Sequence, residues 1–217
     1  MSDDPETARQ IAELARDDRP LLVLDVDDVI LEFIRPFPMF LRAKGYELRL
    51  ETPRLNGNII HVETGLAAET EAVGGLIDAF FEAQAEWQEL MADAADTLAS
   101  FKDSIEIVLL TAMPHRHRET RRAHLDALGL DYPLVTTEMA KGPAVRSLRG
   151  KGDRRVAFVD DQPRNLVSTR ESVPDARLFH LMADNSLRTL FPPPPDYVEI
   201  VDDWIDARPK IAEALGL

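Results

Sequence analysis

Three aspartates fall within four residues, Asp25, Asp27 and Asp28, directly after the apolar run at residues 21–24. In an extended chain, residues two apart point to the same side, so Asp25 and Asp27 can share one face of a site. Carboxylates gathered in this way are costly to bury unless a cation or a proton neutralises them. A second acidic pair, Asp160-Asp161, closes another apolar run at residues 156–159. The combined donor set is all oxygen, which suits magnesium better than zinc. Taken without their context, the same residues also fit an acidic loop solvated at a sheet edge.

The chain contains no cysteine, which removes disulfides, thiolate zinc sites and a cysteine nucleophile from consideration. A net charge of -14 argues against a nucleic acid polymer or an anionic membrane as partner, because both require a basic surface. It leaves room for a phosphorylated substrate, which a few local cations and a divalent metal can hold. Hydrophobic residues at 45% imply a packed core, and 217 residues suffice for one domain with an inserted subdomain. No apolar run approaches the roughly 18–20 residues that span a bilayer. The first residues are acidic and lack the form of a signal peptide, so a soluble cytoplasmic protein is expected.

The elements that must position the carboxylates follow from periodicity. Apolar runs at 21–24, 105–110 (with Glu106 near its start) and 155–159 (after Arg155) read as strands buried on both faces, with weaker strands expected at 133–137 and 177–182. Helices are expected at 5–16 (apolar face Ala8, Ile11, Ala12 and Ala15), 116–128 (Ala123, Leu125 and Leu128, closing at Gly129), 144–148, 164–172 and 203–215. This alternation predicts a doubly wound, Rossmann-like α/β fold with a parallel sheet. The three strong strands end at Asp25, Thr111 and Asp160, and ligands in such folds bind beyond the carboxyl ends of the strands. These three ends are therefore expected to converge.

Residues 30–100 break the alternation. A hairpin from 46–50 and 58–62, with Asn56-Gly57 in its turn, precedes a helix carrying Leu76, Ala79, Phe80, Ala83, Trp87 and Leu90 on one face. Another helix is expected at 93–101. This predicts a mostly helical subdomain at 30–100, inserted into a core made of residues 1–29 and 101–217. The prolines at 192–195 are expected to tie the last helix to that core. His115, His117, Arg121 and Arg122 read as solvated surface, and Trp87, Phe80 and Phe81 as core. Arg35, Arg54, Asn56 and His61 are the insertion's candidates for reaching a substrate, although each alone reads as ordinary surface.

Four short segments together resemble the haloacid dehalogenase-like (HAD) hydrolases. The chain has an apolar strand followed by Asp25-Val26-Asp27-Asp28-Val29, and a second strand ending at Thr111. Lys141 lies near a helix start, and a later strand ends at Asp160-Asp161. The resemblance covers the core but not the insertion. It implies a phosphoric monoester hydrolase, a phosphatase acting through an aspartyl-phosphate on Asp25. Asp27 would be the general acid and base, with its backbone carbonyl toward the metal. Thr111 and Lys141 would serve catalysis and, with Ala112, bind the substrate. Mg2+ would be held by Asp25, Asp27, Asp160 and Asp161, with Asp161 the main ligand of the acidic pair. Asp27 favours phosphate esters over carbon–halogen cleavage, since an oxygen leaving group gains from a proton. Asp28 departs from the glycine common at its position, and Asn165 from a common aspartate.

An insertion directly after the first segment corresponds to a type-one cap in that superfamily, and a cap implies a small phosphorylated metabolite as substrate. Residues 110–114, Leu-Thr-Ala-Met-Pro, resemble the 5′-nucleotidase-like branch, which makes a nucleoside monophosphate the first candidate. The alternatives are a phosphomutase using the same nucleophile and a non-catalytic binding protein on the same fold.

Overall fold

The apolar runs assemble into one six-stranded parallel sheet. In this computed structural model, which describes residues 4–15 and 17–217, the strands are β1 (Leu21–Leu24), β4 (Glu106–Thr111), β5 (Leu134–Thr136), β6 (Val156–Asp160), β7 (Arg177–His180) and β8 (Val198–Ile200). Their order is β5-β4-β1-β6-β7-β8. The chain steps outward from β1 through β4 to β5, then crosses back to β6 on the other side of β1. That reversal at β1 is the place where open α/β sheets leave a crevice. Leu24 lies opposite both Leu109 and Val159, so Asp25, Thr111 and Asp160 do emerge at one edge.

Alternate side chains of each strand face opposite layers of helices. Leu22, Leu24, Ile107 and Leu109 pack with helices α5 (Ala94–Phe101), α6 (Arg118–Ala127) and α9 (Trp204–Leu215). Leu21, Val23, Val108 and Leu110 pack with α7 (Lys141–Arg149) and α8 (Pro163–Ser172). The two layers make this a doubly wound α/β fold. The Trp204 indole of α9 donates to the Val29 carbonyl at 2.8 Å, which anchors the turn after Asp25 from below. Strand β8, just after the prolines at 192–195, is too short and half-exposed to stand out in the sequence. Among the described residues no helix is long and apolar enough to cross a membrane.

Between β1 and α5 lie α2 (Phe37–Ala43), an antiparallel hairpin of β2 (Tyr46–Leu48) and β3 (Ile59–His61), α3 (Thr70–Glu82) and α4 (Gln84–Trp87). Phe37, Phe40, Ile59, Val73 and Phe80 form an apolar cluster of their own, with Trp87 packed at its edge. Helix α5 instead buries Ala94, Leu98 and Phe101 in the sheet's cluster. The expected single helix through Leu90 is interrupted at Ala83 (φ -92°, ψ 11°), and the chain is extended again by Gln88.

The first helix departs from its expected face. Helix α1 (Pro5–Ala12) is capped by Asp4, whose carboxylate accepts from the amides of Glu6 and Thr7 at 3.1 Å. It buries Thr7 and Gln10, while Ala12 and Ala15 are exposed. The reason is polar. Thr7 and Gln10 hydrogen-bond the backbone of Thr136 at 2.8 Å each, satisfying an edge strand that has no further neighbour among the described residues. The expected end at Arg16 lies outside the described residues.

Candidate active site

Lys141 opens α7 with its side chain fully buried, and its ammonium lies 2.7 Å from Asp25 Oδ1 and 2.7 Å from Asp160 Oδ2. The helix can bring it there because Gly142 sits against α8. A Cβ on Gly142 would overlap the Ser168 carbonyl. Asp160 is saturated. Besides Lys141 it accepts from the Gln162 amide at 2.8 Å and from the Asn165 Nδ2 at 3.0 Å. Asn165, a departure from the resembled pattern, thus acts as a donor that fixes Asp160.

Asp25, Asp160 and Asp161 each offer a carboxylate oxygen within 4.8 Å of the others, and all three are buried. Three carboxylates face one ammonium, so two negative charges lack a partner. Burial pushes Asp25 up to about 7 despite Lys141 beside it, and burial with Asp160 and Asp25 close by pushes Asp161 well above the usual carboxylate range. For Lys141, burial works against the charge, but Asp160 and Asp25 outweigh it and hold the ammonium above its ordinary value. A divalent cation with oxygen ligands matches this deficit in charge and in chemistry.

Asp28 explains its own replacement of glycine. Its φ of 59° lies in the left-handed region, which aspartate tolerates better than most residues. Its carboxylate then accepts from the amides of Phe33 (2.9 Å) and Ile34 (3.0 Å), closing the turn that leads away from the sheet. Burial raises it to about 6.

The Asp27 side chain is not part of the carboxylate group around Lys141. It turns toward Arg121, whose Nη2 donates to Asp27 Oδ1 at 2.8 Å. Gln88 donates to the same oxygen at 2.9 Å and accepts from Arg121 at 3.2 Å. His124 donates to the Gln88 carbonyl at 3.1 Å. Thr111, fully buried, reaches Asp27 Oδ2 only at 3.4 Å, and Ala112 beside it is exposed on the cavity wall.

The expectation that Arg121 is solvated is therefore wrong: its side chain is fully buried, with Phe81 over the guanidinium. A signal for this was present. Arg121 lies four residues before Leu125 and seven before Leu128, on the same helical face, together with His117 and His124. His117 is likewise buried and meets Asp78 of α3 at 2.9 Å, while His115 meets Thr136 at 2.6 Å and Asp4 at 3.0 Å. Arg122 is partly buried, donating to the Tyr132 carbonyl at 2.6 Å. Gln88, at the broken end of the insertion's helix, carried no signal.

Asp25, Asp27, Asp161, Asn165 and Ala112 line a cavity of about 690 Å³. Arg54 and Asn56 of the insertion reach it. Arg35 instead donates to the Ala183 carbonyl at 2.6 Å, and His61 packs its ring against Tyr46.

By sequence, no family model matches the chain, and no curated protein matches it. Solved structures do match in fold. A HAD family hydrolase from Deinococcus radiodurans with bound phosphate and sodium aligns at 14% identity and a TM-score of 0.57, covering 91% of this chain and 97% of its own. A HAD-type hydrolase from Bacillus subtilis bound to magnesium aligns at 12% identity and a TM-score of 0.61, covering 93% and 100%. A predicted phosphoglycolate phosphatase from Haemophilus somnus aligns at 12% and 0.58, covering 91% and 100%. At these identities the likeness is one of fold: the α/β fold expected from the sequence is shared with these solved hydrolases.

Proposed function

We propose that this chain, built on the fold of the HAD-like hydrolases, is a magnesium-dependent phosphohydrolase that acts on a small phosphorylated metabolite through an aspartyl-phosphate at Asp25. The observation that carries the reading is the Asp25–Lys141–Asp160–Asp161 cluster, two positive charges short, at the strand ends below a ligand-sized cavity. Such a deficit suits a divalent cation and the phosphoryl group it accompanies.

In this reading an Asp25 oxygen attacks phosphorus in line, and the bond to the leaving oxygen breaks. Asp27 gives that oxygen a proton, then takes one from the water that attacks the acyl phosphate, releasing phosphate and regenerating Asp25. Lys141 balances the charge on Asp25 and on the transferring group. Thr111 supplies a hydroxyl to a phosphoryl oxygen, with Ala112 beside it. Asp25 and Asp161 would hold magnesium with the Asp27 carbonyl. Asp160, whose oxygens are already taken by Lys141, Asn165 and the Gln162 amide, orients the others from behind. The ion would neutralise phosphoryl oxygens during transfer. Arg121 and Gln88 position the Asp27 carboxylate. Residues 30–100 act as a cap, with α5 as its footing on the sheet.

A phosphate-release screen over small phosphate esters, nucleoside monophosphates among them, tests the proposal. Release from at least one ester with magnesium, and its loss on chelation, is expected. Release that survives chelation contradicts it.

A further inference from the structure

The cavity over Asp25 and Asp27 is polar around the strand ends, where Asp28, Asp161, Gln162 and Asn165 join them, and largely apolar over the rest of its lining. Its walls gather large apolar side chains from separate elements: Leu50 and Leu55 around the hairpin, Ile77 and Phe81 of α3, and Leu187 and Phe191 from the segment after β7. Phe81 is buried and the other five are only half-buried, so they face the cavity without a covering layer. Scattered apolar residues on a surface mean little, but a convergent set around one polar floor marks a ligand's surroundings. Away from the strand ends, with Gln162 and Asn165 counted among these, Arg54, Asn56 and Arg164 are the polar side chains of the lining among the described residues. The two arginines have no ion pair among the described residues and suit attraction of an anionic head group.

We infer that the substrate is a phosphomonoester whose alcohol carries an apolar body, alkyl or aryl, rather than a polyol. This rests on the phosphohydrolase reading and names its substrate class. Hydroxyls of a sugar would leave water for walls that offer them few partners, whereas each methylene buried there strengthens binding by up to about fourfold.

The test compares n-hexyl phosphate with sorbitol 6-phosphate on the magnesium-loaded full chain. Both are primary phosphates on six carbons and differ in the hydroxyls. The expected kcat/KM is at least about tenfold higher for the hexyl ester, climbing through the methyl, butyl and hexyl series. A value for sorbitol 6-phosphate or uridine 5′-monophosphate equal to or above that for hexyl phosphate overturns the inference. Leu187→Ser should shrink the hexyl advantage; an undiminished advantage would also overturn the assignment of these walls. If no ester is hydrolysed, the phosphohydrolase reading fails on its own. Calorimetric titration of the Asp25→Asn protein then still decides the inference, which requires hexyl phosphate to bind more tightly than sorbitol 6-phosphate.

Discussion

Two cations are fully buried on either side of the turn that carries Asp25 and Asp27, and they are used differently. Lys141 sits between two carboxylates in a cluster that remains negative. Arg121 meets one carboxylate, shares it with the neutral Gln88, and leaves that side balanced. In the proposed reaction the compact ammonium suits a place where charge would be exchanged with a metal and a phosphoryl group. The planar guanidinium suits a place where one carboxylate must be held in one direction. One side is poised to take up charge, and the other is built for orientation. The second also bridges regions, because Gln88 belongs to the insertion and Arg121 to the sheet's helical layer.

The contrast breaks most severely at Lys141. Lys141→Met leaves Asp25 and Asp160 without their shared cation, and turnover should fall about a thousandfold, read as kcat on any accepted ester. Removing one partner from a buried charge cluster should also lower stability by about 3 kcal/mol in a denaturant titration. Arg121→Met should cost about a hundredfold in kcat with KM little changed, and Arg121→Lys should recover only part of it, because one ammonium cannot hold both Asp27 and Gln88. An equal effect on kcat and KM would make Arg121 a general structural residue instead.

The charge deficit itself is sharpened by pH. Asp25, at about 7 in the folded chain, binds its proton more tightly than the unfolded chain does at about 3.9. Its contribution to stability is therefore complete below the unfolded value and is lost as pH rises toward 7; Asp28 and Asp161 act in the same direction. Magnesium should reverse that loss, so its addition should raise the melting temperature more at pH 7.5 than at pH 5, on the order of several degrees. The smallest effect is expected from Gln88→Ala, about a three- to tenfold loss in kcat, since Arg121 still holds Asp27.

The same two residues show how far the sequence could be read. Lys141 was legible because it opens a helix after an apolar strand and joins three other segments in a fixed order. Asp25, Thr111 and Asp160 were legible because each ends a continuously apolar run, and parallel pairing brings such ends together. Arg121 was hidden by its company: Arg118, Arg122 and Glu119 make its helix look solvated throughout, and only the spacing to Leu125 and Leu128 betrayed the inward face. Gln88 could not be read at all, since its role depends on a helix break at Ala83 and a contact 33 residues along the chain to Arg121. The face of α1 was misread for a related reason. Its burial is governed by the hydrogen-bonding needs of β5, which apolar periodicity does not record.

Asp25 is proposed as the residue that receives the phosphoryl group. Acid-quenching the magnesium-loaded protein during turnover of an accepted ester, followed by peptide mass spectrometry, tests it directly. The prediction is a phosphoryl group on the peptide containing Asp25, absent after chelation and absent with Asp25→Asn, which should also abolish turnover. Undiminished hydrolysis by Asp25→Asn, or a phosphoryl group on another residue, would contradict it.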